Sequence, residues 1–531
     1  MNLRFILYSV GTLLQMLGLV LALPAWIAWN ETTGLWQERL LDPSFTGFPA
    51  AILGALAFGT LLTSNRRFNE KRNAVREGFA IVTFGWVVLS FFGCLPLLVW
   101  FISGNPGGAS LLHAFTDAYF EIMSGFSTTG ATILTNVEAL PRGLLFWRSL
   151  THWLGGMGIV TLVLAVFPAF GVTAYQMFRG EVPGPAAERL GPRLDQTAKV
   201  LWGVYTLLTV LEAALLRWCG MSWFDAFCHA FGTMATGGFS TRNGSIADFD
   251  SSAIDWVITF FMFLAGMNFL IHYRIFFKRD FSLLRADREF RFYGMVIVAA
   301  ITVCTVTLLV QGLGQAGDIE RSFRYDPPAA EQLQELVEGE SDKIEGVYAS
   351  LRYSAFQVLA IVTTTGYTTA DFDMWPGVVR MMLVVLMFFG GCAGSTGGGM
   401  KMVRVMVVLK AAWREIRTMI QPRQVLTVKV GERSLAEKQV SNIIGFFVLF
   451  SILTVLFSLV MTLFVPDFTT AFTSVVATMC NIGPGLSGVG ATQNYAWIPP
   501  GGKWVLALCM LLGRLEIYTV LIAISPLSWK E

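Results

Sequence analysis

The sequence predicts an all-α membrane protein made of four pseudo-repeats, preceded by an N-terminal helical hairpin, with about ten spanning helices in total. Two observations predict this class. The first is composition, because 54% of the 531 residues are hydrophobic and only 14% are charged, whereas a soluble domain carries about 25% charged residues. The second is a short motif rich in threonine and glycine that occurs four times, each time after a short apolar stretch.

The four copies of the motif share one aligned glycine. They read Thr-Thr-Gly-Ala, Thr-Gly-Gly-Phe, Thr-Thr-Gly-Tyr and, more divergent, Asn-Ile-Gly-Pro, and their glycines are Gly130, Gly238, Gly366 and Gly483. In three copies a similar tripeptide begins thirteen residues before the glycine, as in Asp117-Ala118-Tyr119. Similar units at a quasi-regular spacing indicate an internal repeat.

The chain begins with two apolar stretches that lack the motif. Residues 3–29 and 47–64 are each long enough for a spanning helix. The first is interpreted as a retained helix, since it lacks the small-residue cleavage site of a signal peptide. Residues 1–75 are therefore predicted to form a two-helix hairpin outside the repeats.

The rest of the chain divides at the motifs. The predicted repeats occupy residues 76–195, 196–285, 286–435 and 436–531. Short helices are expected at 111–126, 222–235, 347–362 and 467–480, followed by the motif segments 127–132, 236–241, 363–368 and 481–486. In each repeat a second spanning helix, the return helix, is expected after the motif, over 143–177, 253–277, from Pro376 and over 503–525. Such half-helices cannot cross a hydrocarbon core roughly 30 Å thick. They must re-enter the membrane, which is tolerated where they are buried in protein or line water.

Charge patterning predicts the topology. Residues 64–77, 179–199, 274–291 and 401–438 contain clusters of Lys and Arg, so the positive-inside rule places them in the cytoplasm, together with both termini. Every motif then falls on the other side. The insertion 314–346 in repeat 3 is rich in Asp and Glu, which agrees in sign with an outer segment.

The motifs are candidates for an ion site. Each half-helix ends at a motif, so its partly negative C-terminal end points to a common centre and favours a cation. Thr/Gly-rich segments after such helices are typical of selectivity filters, where backbone carbonyls replace the water shell of an ion. Each repeat would then be a helix–pore loop–helix unit around a central ion pore. The residues predicted to bind the ion are Thr128, Thr129, Gly130, Thr236, Gly237, Gly238, Thr364, Thr365, Gly366, Asn481, Ile482 and Gly483.

As a set, these four units resemble the Trk/Ktr/HKT superfamily of cation transporters. With its extra N-terminal hairpin, the chain resembles in particular the bacterial Trk-type potassium uptake membrane subunit. The resemblance implies potassium as the substrate at the filter carbonyls, because glycine at all four positions goes with potassium in that family. It also implies the bacterial inner membrane, a homodimer and a cytosolic nucleotide-binding regulatory subunit. Asn481 and Pro484 depart from the usual pattern of the fourth motif.

Two further features are candidates for a gate. A glycine run at 390–399 interrupts the third return helix, and glycine at this density breaks helices. The resemblance implies an intramembrane gating loop here, while a loop at the inner surface is the alternative. Its predicted residues are Gly390, Gly391, Gly394, Ser395, Thr396, Gly397, Gly398 and Gly399. Arg514 lies within the last helix, where a charge is costly and usually functional or paired, and Glu516 is expected to pair with another helix.

Three classes of function remain to be compared. The first is potassium uptake by a channel-like mechanism. The second is a secondary transporter that couples potassium to protons or sodium, for which acids at the membrane midplane are needed; Glu121, Glu212 and Glu516 are the candidates. The third, a membrane enzyme, is disfavoured because no nucleophile–base constellation is visible. Beyond the lipid bilayer and the transported ion, neither a cofactor nor a nucleic-acid partner is expected.

Overall fold

The structure is a computed structural model that describes residues 1–33, 35–64, 75–104, 110–166, 194–314, 330–424, 426–431 and 433–529. Nearly all elements are helices, and the predicted all-α membrane class is confirmed. In the described residues the strands are β1 (Lys429–Val430) and β2 (Arg433–Ser434), which pair antiparallel.

The helices are defined here in chain order. Up to residue 166 they are α1 (Leu3–Val20), α2 (Ala22–Glu31), α3 (Trp36–Leu41), α4 (Pro43–Thr63), α5 (Val75–Gly93), α6 (Leu95–Gly104), α7 (Leu111–Phe126) and α8 (Arg142–Val166). Next come α9 (Leu194–Trp218), α10 (Trp223–Ala235), α11 (Ser252–Ala265), α12 (Phe269–Lys278), α13 (Ser282–Ala286) and α14 (Arg288–Gln311). The remainder are α15 (Ala330–Lys343), α16 (Val347–Val362), α17 (Gly377–Met387), α18 (Met402–Ile420), α19 (Glu437–Met461), α20 (Phe468–Met479), α21 (Pro500–Arg514), α22 (Ile517–Ile524) and α23 (Pro526–Trp529).

Six helical stretches of the described chain are long and apolar enough to cross a membrane, and the number rises to eight if two bent helix pairs each count as one span. Of the ten expected spans, two do not meet this criterion. One is the stretch 143–177, which lies outside the described residues from residue 167 onward. The other is the return helix of repeat 3, which is divided into α17 and α18 by the glycine run.

The four predicted half-helices are present within one residue of their predicted limits, as α7, α10, α16 and α20. Three begin at a side-chain cap. Ser110, Ser222 and Asp467 each accept a hydrogen bond from a backbone N–H of the first turn, which satisfies a donor that a helix start otherwise leaves free. The third half-helix, α16, begins after Gly346 without such a bond.

The N-terminal hairpin is held by close packing of α1 against α4. A methyl group on Gly11 would lie 2.8 Å from the carbonyl oxygen of Gly59, and one on Gly59 would lie 2.8 Å from that of Gly11. Small residues at a crossing let two membrane helices approach backbone to backbone. The two helices therefore pack as a tight pair.

Polar and apolar side chains are distributed as a bilayer requires. Large apolar side chains are exposed on the spanning helices, for example Leu19, Val310 and Leu459. Threonines of the motif segments, such as Thr128 and Thr364, are fully buried. Because lipid offers no hydrogen bonds, this arrangement places the irregular, polar backbone inside the protein.

Two predicted return helices, over 253–277 and 503–525, are not continuous, so both predictions are wrong at their centres. In repeat 4, α21 ends at Arg514 and meets α22 at 111°. The other break is in repeat 2. The chain breaks between α11 and α12, which meet at 101°. The break is satisfied from elsewhere: the N–H of Cys392 donates to the carbonyl of Gly266 at 2.8 Å, and the N–H of Phe269 donates to that of Gly394 at 3.1 Å. A helix can end at this depth because the glycine run supplies partners for its free backbone groups.

Some predicted segments lie partly outside the described residues. They are the basic segments 64–77 and 179–199 and the acidic insertion 314–346. Of the acidic insertion, the structure describes Gly314 and residues 330–346, which include helix α15.

Candidate functional site

The four motif segments share one backbone pattern. The residue two positions before the aligned glycine has a positive φ in every repeat, with 54° at Thr128, 56° at Thr236, 62° at Thr364 and 56° at Asn481. The aligned glycines also have positive φ, from 76° at Gly366 to 98° at Gly483. A positive φ is a genuine outlier for a β-branched residue. Its recurrence at one aligned position therefore shows that the four segments adopt one special conformation.

The four segments close into a ring. A methyl group on Gly130 would lie 2.1 Å from the carbonyl oxygen of Gly237, and one on Gly238 would lie 2.1 Å from that of Thr365. On Gly366 it would lie 1.7 Å from the oxygen of Ile482.

The last contact returns to the first repeat. A methyl group on Gly483 would lie 2.8 Å from the carbonyl oxygen of Thr129. Each glycine thus faces the carbonyl of the residue that precedes the glycine of the next repeat, in the cyclic order one to four. All twelve residues predicted to bind the ion belong to these four adjoining segments.

Side chains connect the ring to its surroundings. The Thr129 and Ser127 hydroxyls are 2.7 Å apart, and those of Thr365 and Thr363 are 2.8 Å apart. The amide of Asn481 donates to the Thr129 hydroxyl at 3.0 Å. This bond explains how the divergent fourth motif still closes against the first.

Three ring-supporting side chains were not identified from the sequence. His152 donates from Nδ1 to the carbonyl of Gly125 at 2.8 Å and accepts the N–H of Phe239 at 3.1 Å. The hydroxyl of Tyr367 donates to the carbonyl of His229 at 3.0 Å, and that of Tyr495 donates to the carbonyl of Gly483 at 2.7 Å. Buried polar tips usually mark such partners, but the sequence does not show which backbone groups they meet.

The glycine run forms a compact loop next to the ring. Phe389 and Met400 pair with each other where the chain enters and leaves the loop. Inside it, the N–H of Gly398 donates to the hydroxyl of Thr364 at 2.7 Å. The Thr396 hydroxyl donates to the carbonyl of Met234, at the end of half-helix α10, at 2.9 Å. The loop therefore touches a residue of the ring directly.

Charged side chains surround this loop. Arg514, which is 3% exposed, donates to the carbonyl of Thr396 at 2.7 Å and to that of Gly155 at 2.8 Å. Lys401 donates to the carbonyl of Gly397. The carboxylate of Glu289 accepts the N–H groups of Ala393 at 2.7 Å and Val403 at 3.0 Å. The predicted gating residues are thus brought together by helices α14, α18 and α21.

The three candidate coupling acids have different surroundings. Glu516 forms an ion pair with Arg404 of α18 at 2.8 Å, which confirms that it pairs with another helix. Glu121 forms an ion pair with Arg148 at 2.7 Å. Glu212 is fully buried, and neither of its carboxyl oxygens makes a hydrogen bond within the described part of the chain.

A cluster of acids lies where the chain leaves the ring in repeat 3. The N–H of Asp371 donates to Glu340 at 3.1 Å, and Asp371 accepts the hydroxyl of Thr492 at 3.1 Å. Asp373 accepts the N–H of Ser487 at 2.6 Å. Burial, and then the neighbouring carboxylates of Asp373 and Glu340, raise the pKa of Asp371 to about 7.

These observations define a class: a multi-pass membrane protein in which four half-helices of one chain end at four backbone segments that contact one another in a closed cyclic order. The sequence profile of the TrkH family, described as a cation transport protein, matches residues 47–530. The chain belongs to this TrkH family of cation transport proteins, and the resemblance stated from the motifs is confirmed.

Individual relatives agree with this assignment. Over 532 residues the chain is 36% identical to the Trk system potassium uptake protein TrkH of Halomonas elongata, with 100% of both chains covered. It is 35% identical over 491 residues to that of Escherichia coli K12, with 92% of this chain and 93% of the relative covered. The crystal structure of the potassium transporter TrkH from Vibrio parahaemolyticus is similar at a TM-score of 0.81 and 32% identity, with 100% of both chains covered. The relatives are named as uptake proteins, not as enzymes.

The acid cluster generates a prediction about pH. Because the pKa of Asp371 is raised in the folded protein above its unfolded value of about 3.9, the folded state holds this proton more tightly. Asp371 therefore lowers stability progressively as pH rises from about 4 to about 7. Asp371→Asn should remove this part of the pH dependence of the thermal unfolding midpoint, measured in detergent between those limits.

Asp342, an exposed residue of the acidic insertion that also contains Glu340, provides the control. Asp342→Asn should leave the pH profile of the midpoint unchanged. An identical profile for the wild type and Asp371→Asn would contradict the assignment.

Proposed function

We propose that the ring is a potassium selectivity filter and that the protein takes up potassium across the bacterial inner membrane. The observation that carries this proposal is the closed cyclic order of glycine and carbonyl contacts. Four backbone segments held edge to edge are what a ring of carbonyls needs in order to replace the water shell of an ion. The naming of the relatives as potassium uptake proteins supports the choice of ion.

The electrostatics of the ring suit a cation without any charged side chain in it. The four half-helices end at the ring, so their partly negative C-terminal ends lie beside it. The carbonyls add further negative dipole ends. Weak, repeated attraction of this kind lets a monovalent cation bind and leave again.

The glycine loop 390–399 and Arg514 form the proposed gate. The loop lies against the ring through Gly398 and Thr364, and it is tied to α21 through Arg514. A positive guanidinium beside the proposed ion pore repels cations. The glycine loop has low helix propensity, so it can adopt a second conformation. Helix α18, which follows directly, would transmit a signal from the cytoplasm.

A coupled transporter is the second candidate, and Glu212 favours it. A buried carboxyl without a hydrogen-bond partner is costly in its charged form, so it is a natural place to hold a proton. Glu121 and Glu516 do not favour coupling in the same way, because each is already neutralised by an arginine.

The proposed partners are a second copy of the chain and a cytosolic nucleotide-binding regulatory subunit, with both termini in the cytoplasm. Helix α18 supports a cytosolic docking surface, since its side chains Leu409, Trp413, Met419 and Ile420 are more than half exposed beside basic residues. Large exposed apolar side chains among charges mark interaction surfaces. Crosslinking of membranes that yields only monomers would contradict the homodimer.

Reconstituted vesicles separate the two functions. We expect the reversal potential to follow the potassium gradient and to be insensitive to sodium and pH gradients. A coupled transporter would instead shift its reversal potential with pH, and Glu212→Gln would abolish that shift. If folded protein inserted in the vesicles carried no potassium flux, both the channel-like and the coupled potassium transport functions would be contradicted.

The ring generates a graded prediction. Gly130→Ser should lower potassium-over-sodium preference, since its Cβ meets a backbone carbonyl at 2.1 Å and the segment must move. Across an alanine series the loss should be largest at Gly366, where the distance is 1.7 Å, and smallest at Gly483, where it is 2.8 Å. Permeability ratios from bi-ionic potentials measure this order.

Gly445 in α19 supplies a control, because a methyl group there would approach the Tyr518 hydroxyl only to 3.4 Å. Gly445→Ala should keep the wild-type ratio. Equal ratios across the four ring variants would refute the ring as the selective element.

The gate generates another prediction. Arg514→Ala removes the hydrogen bond to the Thr396 carbonyl of the loop, the one to the Gly155 carbonyl of α8, and a repelling charge. Basal potassium flux should therefore rise by about tenfold or more, with selectivity largely kept. Deleting residues 394–398 should also raise flux, but it removes the Gly398 contact to Thr364 as well. Arg514→Ala is therefore the cleaner test.

Arg404→Gln serves as the matched control, because Arg404 pairs with Glu516 and does not bond to the loop. Its basal flux should stay near wild type. If Arg514→Ala shows unchanged or lower flux at normal membrane abundance, the glycine run is a packing break and not a gate.

A further inference from the structure

Nine residues before each aligned glycine, the half-helix carries a polar side chain. The four residues are Glu121, His229, Gln357 and Ser474, and all are fully buried. They lie behind the segments that leave the ring. Those segments are irregular, so their backbone groups need partners other than a regular helix or sheet.

Three repeats meet this need with neutral side chains. In repeat 2, His229 bonds the hydroxyl of Ser240 at 2.9 Å, and this hydroxyl in turn accepts the backbone N–H of Arg242 at 3.0 Å. In repeat 3, Gln357, with its amide oxygen turned to the backbone, accepts the N–H of Thr369 at 2.8 Å. In repeat 4 the preceding residue Thr473 accepts the N–H of Leu486 at 3.0 Å.

Repeat 1 is different because it uses a carboxylate. Glu121 accepts the hydroxyl of Thr132 and the N–H of Ile133, each at 2.9 Å. Both residues lie directly after Gly130 and its neighbour Ala131. The carboxylate therefore fixes the exit of the first ring segment.

The partner of this carboxylate reaches into repeat 2. Arg148 donates to Glu121 at 2.7 Å and to the carbonyl of Ser240 at 3.1 Å. Its guanidinium also lies 3.8 Å from the ring centre of Phe239, the residue after Gly238. Arg148 is only 2% exposed, so one buried ion pair joins the exits of two neighbouring ring segments.

We propose that Glu121 and Arg148 are positioning residues that set the spacing between the first two filter segments and thereby the discrimination of potassium from sodium. The inference rests on the proposed filter function. Its physical basis is that the pair links Thr132, two residues after Gly130, to Ser240, two residues after Gly238, and these are the two segments joined by the contact between Gly130 and the Gly237 carbonyl. The planar guanidinium holds the carboxylate, a carbonyl and an aromatic face at once, which a single neutral side chain cannot do.

Glu121→Gln is the first test, because repeat 3 shows that a glutamine fits at the aligned position. It keeps the shape but leaves the buried Arg148 charge without its counter-ion. We expect the potassium-over-sodium permeability ratio to fall by about tenfold, the size of one lost charge-assisted hydrogen bond, while potassium flux persists.

Glu138→Gln is the matched control. Glu138 and Arg242 also join repeats 1 and 2, at 3.8 Å, but their side chains are 43% and 44% exposed. An exposed pair at this distance is worth little. The potassium-over-sodium permeability ratio of Glu138→Gln should equal that of the wild type.

Arg148→Lys is the second test variant, to be used if the Glu121→Gln protein does not fold and accumulate in the membrane. It keeps the pair charged but cannot bridge Glu121 and Ser240 together, so the ratio should again fall while thermal unfolding stays close to wild type. A wild-type ratio in folded Arg148→Lys or Glu121→Gln overturns the inference, and a lowered melting temperature with an unchanged ratio identifies a structural role only. Missing potassium flux in the wild type would instead refute the filter.

Discussion

The contact between each ring glycine and a carbonyl oxygen of the next repeat is the constraint on which the rest of the structure depends. At three of the four positions a methyl group would come within 1.7 to 2.1 Å of that oxygen, so no side chain fits. The four segments therefore position one another, and none can shift alone. Because the segments are neither helix nor sheet, regular backbone hydrogen bonding does not hold them, and the surrounding protein must hold the segments by other means.

Those other means differ from one repeat interface to the next. His152 and the Glu121–Arg148 pair connect repeats 1 and 2, Tyr367 connects repeats 2 and 3, and Asp373 with its bond to Ser487 connects repeats 3 and 4. The fourfold likeness is thus a property of the backbone, while the supporting side chains are specific to each interface. A single-chain ring allows this asymmetry, since each repeat can change its supports without changing the others.

How far the sequence could predict this structure depends on whether a feature is local. The limits of the half-helices and the aligned glycines are local, and α7 and α16 have the predicted ends. The break between α11 and α12 is not, because it is satisfied by Cys392 and Gly394, more than a hundred residues away. Glu121 was interpreted as a coupling acid since nothing in the sequence places Arg148 beside it. A buried polar residue nine positions before each glycine was the available signal.

The proposed gate and the proposed filter share atoms, which limits how independently they can act. Gly398 bonds the hydroxyl of Thr364, and a methyl group on Gly398 would lie 2.5 Å from the carbonyl oxygen of Cys480. The loop therefore contacts repeats 3 and 4. Arg514 connects it to repeat 1, because its guanidinium donates both to the Thr396 carbonyl of the loop and to the Gly155 carbonyl. If the loop moves by breaking only its bond between the Thr396 carbonyl and Arg514, the contact between Gly398 and Thr364 stays intact and selectivity is preserved. A movement that releases Gly398 instead removes the hydrogen bond that this hydroxyl accepts, so that selectivity would then depend on the state of the gate.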